Sequence, residues 1–279
     1  MTATSPVPVV MTLAGHDPTG GAGIQADIES ILSMGCHPVS VITTITVQDT
    51  SDVIGIAPLD AELIVQQARA VLEDMPVAAV KIGMIGSVEG VQAIHTLLTD
   101  YPDLPVVLDP VLASGAGTAL ATEEMVDAIN SLLLPFTTLL TPNSPEARVL
   151  AQGCDTLDAC AMFLLEQGCE YVLITGTHEN TARVQNVLYG NHRRLETYPV
   201  DRLPGEYHGS GCTLSAAIAA LLAQGIDPAS AVHEALTYTW HTLDRAQRLG
   251  MGQLIPNRLF WAGDDPENED PADDDTAHF

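Results

Sequence analysis

The chain has 279 residues, a formal net charge of −26, 46% hydrophobic residues and only 4% aromatic residues. This length fits one large α/β domain or two small ones, and a core of Ala, Val, Ile and Leu favours a parallel sheet covered by helices over an aromatic-rich β-sandwich. The negative charge argues against nucleic acid and anionic membranes as partners, because both carry charge of the same sign.

Hydropathy and cysteine usage point to the compartment. No stretch offers the roughly 18 uninterrupted apolar residues of a membrane span, and the N-terminal segment lacks the basic start of a signal peptide. The cysteines form no C-x-x-C pair, which argues against a disulfide framework or a Cys-based zinc site. We therefore expect a cytoplasmic protein. Among the cysteines, only Cys212 lies in a sequence pattern that suggests a chemical role.

Strand-like and helical patterns alternate along the chain. Strands are predicted over 7–14, 39–47, 77–82, 105–108, 137–140 and 171–175, and helices over 24–34, 61–72, 88–98, 122–133, 157–167, 212–223 and 229–249. A hairpin over 183–200 is predicted to turn at Gly190 and Asn191. This order predicts one doubly wound domain, 1–263, with a mainly parallel sheet. The acidic tail, 264–279, is expected to be disordered.

A glycine-rich loop, 15–23, follows the first strand and holds four glycines in nine residues. It has neither the G-x-G-x-x-G order of a dinucleotide site nor the G-K-[ST] ending of a phosphate loop. The pattern favours close approach to a small ligand, with Asp17 or Asp27 adding polarity, over a structural turn. His16 and His208 flank glycine loops without a partner at i+4, so neither is expected to bind metal.

Polar side chains follow two of the later predicted strands. Asp109 ends one strand, and Asn143 and Glu146 follow the next. Carboxylate and amide oxygens suit a hydrated Mg²⁺, although Asn143 or Ser144 capping a helix with Glu146 in its first turn is the alternative. Lys81, the only lysine of the chain, lies near a strand end where a buried ion pair and an active-site contact both fit.

The segment His208-Gly-Ser-Gly-Cys-Thr213 runs into a series of small apolar residues. Alternate glycines let successive N–H groups face one concavity, and the start of the predicted helix adds partial positive charge, which together make an anion site. Cys212 lies where the pKa of a thiol is lowered. The pattern suits phosphoryl transfer to a hydroxyl group, and the alternative is a glycine-rich helix cap with a buried cysteine.

Six motifs occur in one order along the chain. They are Ala14-Gly-His-Asp-Pro-Thr-Gly-Gly-Ala-Gly-Ile-Gln-Ala-Asp27, Thr46-Val-Gln-Asp-Thr50, Lys81-Ile-Gly-Met84, Leu108-Asp-Pro-Val111, Thr141-Pro-Asn-Ser-Pro-Glu-Ala147 and His208-Gly-Ser-Gly-Cys-Thr-Leu-Ser215. Over about 9–260 the chain resembles hydroxymethylpyrimidine/phosphomethylpyrimidine kinases of thiamine biosynthesis, in the ribokinase-like superfamily. The cysteine in the last motif separates that family from pyridoxal and sugar kinases, which usually carry Asp there.

The resemblance implies an α/β protein with a three-layer αβα ribokinase-like fold and a central, mainly parallel sheet. It implies ATP-dependent phosphorylation of 4-amino-5-hydroxymethyl-2-methylpyrimidine and then of its monophosphate, with Mg²⁺ and a homodimer. It assigns the pyrimidine substrate to Gly15, Asp17, Ala22, Asp27, Gln48, Met84 and Val111, the nucleotide to Asn143, Thr175 and Thr213, and the metal to Asp109 and Glu146. It assigns phosphoryl transfer to Gly209, Ser210, Gly211 and Cys212, with Cys212 as base or substrate-positioning thiol.

One departure from the family pattern concerns the nucleotide. Thr175-Gly-Thr-His178 stands where many members have Lys-Gly-Gly-His, so a point charge toward the nucleotide phosphates is missing. Two alternative functions stay open. A pyridoxal kinase is disfavoured by Cys212, and a non-catalytic pyrimidine sensor is disfavoured by the joint presence of the metal and anion-site residues.

Overall fold

The computed structural model describes residues 7–115 and 117–262. Within them, nine strands form one sheet: β1 (Val9–His16), β2 (His37–Gln48), β3 (Val53–Pro58), β4 (Val77–Ile82), β5 (Val106–Leu108), β6 (Leu139–Leu140), β7 (Tyr171–Ile174), β8 (Arg183–Gly190) and β9 (Arg193–Asp201). Their order is β3-β2-β1-β4-β5-β6-β7-β8-β9. The six central strands, from β2 to β7, are parallel to their neighbours, and β3, β8 and β9 pair antiparallel.

Eight α-helices connect or follow these strands in the described part of the chain. They are α1 (Gly23–Ser33), α2 (Ala61–Leu72), α3 (Val88–Asp100), α4 (Glu123–Ala128), α5 (Ser144–Leu150), α6 (Leu157–Glu166), α7 (Ser210–Ala223) and α8 (Pro228–Asp244). Two hydrophobic clusters separate them: residues of α2 to α6 pack on one face of the sheet, and residues of α1, α7 and α8 pack on the other. The predicted three-layer α/β fold is confirmed.

Helix α7 lies deepest in its layer. Nine consecutive residues, from Thr213 to Leu221, are buried, and four of them are alanine. Small side chains let this helix approach the sheet closely while α1 and α8 pack beside it, and alanine has the highest intrinsic helix propensity. This packing against the sheet, α1 and α8 therefore fixes the position of the N-terminus of α7 at the carboxyl ends of the parallel strands.

The sequence prediction differs from the structure at several element ends. The hairpin turns at Asn191 and His192 rather than one residue earlier, because these two residues take the positive φ angles that a tight hairpin turn requires. The helix predicted over 122–133 is α only to Ala128 and continues as a π turn from Ile129 to Leu133. The last helix ends at Asp244 instead of 249.

Strand β3 was not predicted, and helix α5 was expected only as the alternative to a metal site. β3 lies at the sheet edge and is largely exposed, so its sequence lacks the regular alternation of a half-buried strand. The expected disorder of the tail, 264–279, concerns residues outside the described ranges. No described helix is long and apolar enough to cross a membrane.

Candidate active site

The glycine-rich loop after β1 is organised by the carboxylate of Asp17, which is 2% exposed. Asp17 accepts hydrogen bonds from the backbone N–H groups of Thr19 and Ala22, each at 2.8 Å, and from the Thr19 hydroxyl. His208 Nε2 lies 2.9 Å from Asp17 Oδ2. Burial alone would raise the pKa of Asp17, but the contacts with His208 and Thr19 lower it to about 2. Asp17 is thus an ionised anchor of the loop.

The same loop packs against the segment that precedes α7. A Cβ atom on Gly209 would overlap the carbonyl oxygen of Gly21, and one on Gly21 would overlap the His208 ring. Gly209 also has φ +70°, a left-handed conformation that glycine adopts without strain. The two glycine motifs, 186 positions apart or more, therefore form one surface that other residues would push apart.

The N-terminus of α7 faces the carboxyl edge of the sheet. Gly209 is the N-cap, and Thr213 is the first residue whose N–H bonds back within the helix, to Gly209 O at 2.9 Å. The amides of Ser210, Gly211 and Cys212 precede that bond, so they form the electropositive end of the helix. A Cβ on Gly211 would lie 3.8 Å from Asp109 Oδ1. The structure thus brings the predicted anion site and the predicted metal carboxylate together.

Below this surface lies a buried charge cluster. Lys81 is fully buried, its Nζ lies 2.9 Å from Asp27 Oδ1 and 4.0 Å from Asp109 Oδ2, and Asp27 also accepts a hydrogen bond from the Thr12 hydroxyl. Burial would lower the pKa of Lys81, but the carboxylates, Asp27 first among them, raise it above its ordinary value. Of the two interpretations of Lys81, the structure has the buried ion pair. Asp27, assigned to substrate, is fully buried in that pair.

Cys212 lies beside this cluster at the first turn of α7. Burial raises the pKa of its thiol to about 12, and Lys81 opposes this only in part. Asp109 and Asp27 raise it further, and the backbone N–H of Gly23 lowers it slightly. The expectation of a lowered thiol pKa is therefore wrong, because desolvation exceeds the stabilisation by the helix terminus. Cys212 is only partly buried by accessible surface, and Asp109 and Asp27 nevertheless favour the protonated thiol.

Glu146 and Asn143 form a capping box at the start of α5. Asn143 N donates to Glu146 Oε2 and Glu146 N donates to Asn143 Oδ1, both at 2.9 Å. The helix-cap alternative is therefore observed. Burial raises the pKa of Glu146 to about 8, with the negative charge of Asp109 as the second cause. Burial also raises the pKa of Asp109. The negative charge of Asp109 thus opposes the ionisation of Glu146 at one edge of the sheet.

The remaining substrate-pocket candidates lie at or after the carboxyl ends of parallel strands. A Cβ on Gly15 would lie 3.5 Å from Met84 Sδ, so Met84 borders the loop. Ala22 is the N-cap of α1 and lies against Gly209. Gln48 ends β2, half-buried, and Val111 follows Asp109, with its N–H bonded to the Asp109 carbonyl at 2.9 Å. These residues come from four different strand ends.

The two threonines assigned to the nucleotide have different surroundings. Thr175 follows β7, and its carbonyl accepts a hydrogen bond from Ser144 N at 3.1 Å, beside the capping box of α5. The Thr213 side chain is buried; its hydroxyl donates to Gly209 O and accepts from Arg258 Nε, each at 2.9 Å. Thr213 is thus hydrogen-bonded inside the protein, and Thr175 lies at the edge of the cluster.

Sequence reasoning missed Arg258 and the contact between His208 and Asp17. Arg258 follows the last motif by more than 40 residues and lies in no periodic pattern, so spacing offers no signal for it. A groove of about 750 Å³ between β9 and α8, lined by Tyr198, His233 and Phe260 among others, shares no residue with this cluster. The chemistry-bearing side chains lie at the carboxyl edge of the sheet, where open α/β sheets bind ligands.

Comparisons with known proteins agree with this geometry. A hydroxymethylpyrimidine/phosphomethylpyrimidine kinase from Streptomyces coelicolor is 37% identical over 270 residues, covering 94% of this chain and 99% of that protein. A phosphomethylpyrimidine kinase structure from Clostridium difficile 630 is similar with a TM-score of 0.73 and 33% identity, covering 85% of this chain and 100% of the other. The ADP complex of Bacillus subtilis pyridoxal kinase has a TM-score of 0.84 at 26% identity, covering 92% and 99%.

Two relatives are much longer than this chain. It spans 43% of the putative hydroxymethylpyrimidine/phosphomethylpyrimidine kinase 2 of Schizosaccharomyces pombe, at 35% identity over 78% of this chain. It spans 53% of the thiamine biosynthesis bifunctional protein ThiED of Geobacter sulfurreducens, at 35% identity over 91% of this chain. A family model described as Phosphomethylpyrimidine kinase matches residues 17–257. The chain belongs to the phosphomethylpyrimidine kinase family.

Proposed function

We propose that this protein transfers the terminal phosphoryl group of ATP to the hydroxymethyl oxygen of 4-amino-5-hydroxymethyl-2-methylpyrimidine, and then a second one to the monophosphate. The product is the diphosphate used in thiamine biosynthesis. Membership of the family and the names of its relatives support this activity. A cytoplasmic location and a homodimer belong to the same proposal and rest on the resemblance.

The observation that carries the proposal is the meeting of the α7 N-terminus with Asp109. The amides of 210–212 offer partial positive charge, and Asp109 Oδ1 lies 3.8 Å from the position of a Cβ on Gly211. Phosphoryl transfer involves little covalent chemistry by the protein, so positioning and charge stabilisation supply most of the catalysis. The amides would stabilise the charge that develops on the transferred phosphoryl group.

The carboxylates fit a hydrated Mg²⁺. Asp109 and Glu146 are buried, the pKa of each is raised, and Lys81 is the cation that lies near Asp109, at 4.0 Å. Among the described residues no group of three or more His, Cys, Asp or Glu could hold a metal. A Mg²⁺ ion at Asp109 and Glu146 would take its other ligands from waters and phosphate oxygens. Asp109 and Glu146 would hold Mg²⁺, which when bound neutralises phosphate charge.

Cys212 fits a substrate-positioning thiol better than a thiolate base. Its pKa of about 12 keeps the proton on Sγ near neutral pH, so the thiol can donate a hydrogen bond to a substrate oxygen. Gly15, Ala22, Gln48, Met84 and Val111 would border the pyrimidine. The Gln48 amide can both donate and accept, which suits the edge of an aminopyrimidine.

A coupled assay of ADP release tests this proposal with three acceptors: the pyrimidine alcohol, its monophosphate and pyridoxal. We expect turnover with both pyrimidines, dependent on Mg²⁺, and a far lower kcat/KM with pyridoxal. Higher kcat/KM with pyridoxal would support the rival pyridoxal kinase. Tight binding of the pyrimidine with no ADP release would support a pyrimidine sensor.

A further inference from the structure

A C-terminal segment, residues 250–258, lies across the elements that form the proposed site; we refer to it as the strap. Gly252 N donates to the Thr50 hydroxyl at 2.9 Å, and Gln253 N donates to the Thr50 carbonyl at 2.8 Å. Leu254 N bonds to Glu206 O, and His208 N bonds to Leu254 O, both at 2.9 Å. The strap therefore joins the turn after β2 to the segment that precedes α7.

Arg258 ends the strap and is the largest fully buried side chain among the described residues, at 1% exposure. Its Nε donates to Thr213 Oγ1 at 2.9 Å, and its Nη1 donates to Gly20 O at 3.2 Å. Its Nη2 donates to Gly21 O. One guanidinium group thus binds the glycine-rich loop and the first turn of α7 at the same time.

The charge of Arg258 has a single carboxylate partner in these contacts. Glu29 Oε2 lies 3.1 Å from Arg258 Nη1 and is 42% exposed, so solvent weakens that ion pair. The other partners are backbone carbonyls and a hydroxyl. Such a planar fork with several fixed donors suits the alignment of two backbone segments, which a point-charge ammonium cannot reproduce.

We propose that Arg258 is a positioning residue for phosphoryl transfer, which sets the distance between the glycine-rich loop and the N-terminus of α7. The proposal rests on the proposed function, in which the loop borders the pyrimidine and the helix end binds the phosphoryl group. Arg258 donates to Gly21 O and to Thr213 Oγ1 and so joins the two segments, in addition to the contact between His208 and Asp17. A misplacement of about 1 Å between reacting groups can lower a rate by about 10².

The test uses the full chain with Arg258→Met, Arg258→Lys and, as a matched control, Arg245→Met. Arg245 lies in the same C-terminal region, and its guanidinium carbon lies 4.9 Å above the Phe260 ring, away from the site. We expect Arg258→Met to lower kcat/KM for the pyrimidine alcohol by about 10² well below its melting temperature, with a raised KM. Arg258→Lys should recover part of the loss, and Arg245→Met should match the unmodified protein.

Amide hydrogen exchange separates this proposal from the proposed function, because it needs no substrate. We expect Arg258→Met to speed exchange in peptides covering 17–24 and 209–214 and to leave 88–100 in α3 unchanged. Unchanged exchange in both site segments, or unchanged kcat and KM in a folded variant, would overturn the positioning role. A lowered active fraction with unchanged KM would mean a structural role only. If Arg258→Met does not fold, Arg258→Lys is judged by the same two measurements.

Discussion

The glycine-rich loop and the carboxylate cluster of Asp109 and Glu146 lie side by side, but the pKa values of their carboxyl groups are shifted in opposite directions. In the loop, Asp17 has partners on both oxygens, and its pKa falls to about 2. In the cluster, burial raises the pKa of Glu146 to about 8 and also raises that of Asp109. The first region is complete without a ligand. In the carboxylate cluster, burial disfavours the ionised carboxylates, and a bound cation would remove that free-energy penalty. The carboxylate cluster is therefore the candidate for the reactive part of the site.

The largest effect on activity is expected when the carboxylate cluster loses the carboxylate of Glu146. Glu146→Gln keeps a side-chain acceptor for the capping box but cannot become the carboxylate that a bound cation would favour, so kcat should fall by about 10²–10³. Steady-state turnover of the pyrimidine alcohol at several Mg²⁺ concentrations measures this. Glu89→Gln, an exposed acid in the first turn of α3, is the control. Wild-type turnover in Glu146→Gln would remove this residue from the site.

The loop is expected to lose stability when its charge is removed. The folded pKa of Asp17, about 2, lies below its ordinary value of 3.8, so its ionised form stabilises the fold above that pH, by about 2 kcal/mol. Asp17→Asn should lower the free energy of unfolding by that amount at pH 7, measured by urea titration. The difference should vanish as pH falls toward 2. Asp60→Asn, which keeps a capping side chain on α2, should change little.

Stability should respond to pH in the opposite direction in the carboxylate cluster. The folded pKa of Glu146 is raised from 4.5 to about 8. The contribution of Glu146 to the free energy of unfolding is therefore fully present below pH 4.5 and is lost as pH rises toward 8. Compared with Glu146→Gln, the unmodified protein should lose melting temperature between pH 5 and 8. Added Mg²⁺ should reduce that loss. Parallel melting curves for the two proteins across this range would contradict the raised pKa.

The smallest effect is expected at Cys212. A thiol that keeps its proton can be replaced by a hydroxyl, so Cys212→Ser should retain kcat within about tenfold, less than the 10²–10⁴ expected for loss of a general base. Substrate binding is measured separately by calorimetry. Cys212→Asp and Cys212→Ala complete the series. A loss of about 10³ in the serine variant with unchanged binding would make Cys212 the base after all.

The sequence predicted the layers of the fold because buried parallel strands and helices leave strong patterns. It missed β3, whose exposed edge position removes the alternation, and it treated α5 only as an alternative because Asn143 and Glu146 suit a cap and a metal equally. The motifs predicted which segments meet at the strand ends. The reach of Arg258 to Gly20, across 238 positions, depends on the folded chain and has no signature in spacing.

The direction of the pKa shift of Cys212 also could not be predicted from the sequence. A helix start lowers the pKa of a thiol and burial raises it, and the balance depends on how much protein surrounds the sulfur. The sequence shows the helix start, but it does not show that Asp109 and Asp27 approach Cys212 from other elements and raise its pKa further. Local motifs therefore predict which groups are present, and the fold determines their protonation.

The burial of Lys81 has a practical consequence for labelling. The chain contains one lysine, and its ammonium group is fully enclosed beside Asp27. Amine-reactive dyes and cross-linkers should therefore leave this side chain unmodified while the protein is native, and trypsin should cut after it only when the sheet opens. Acylation of Lys81, followed by mass spectrometry, becomes an internal reporter of global unfolding.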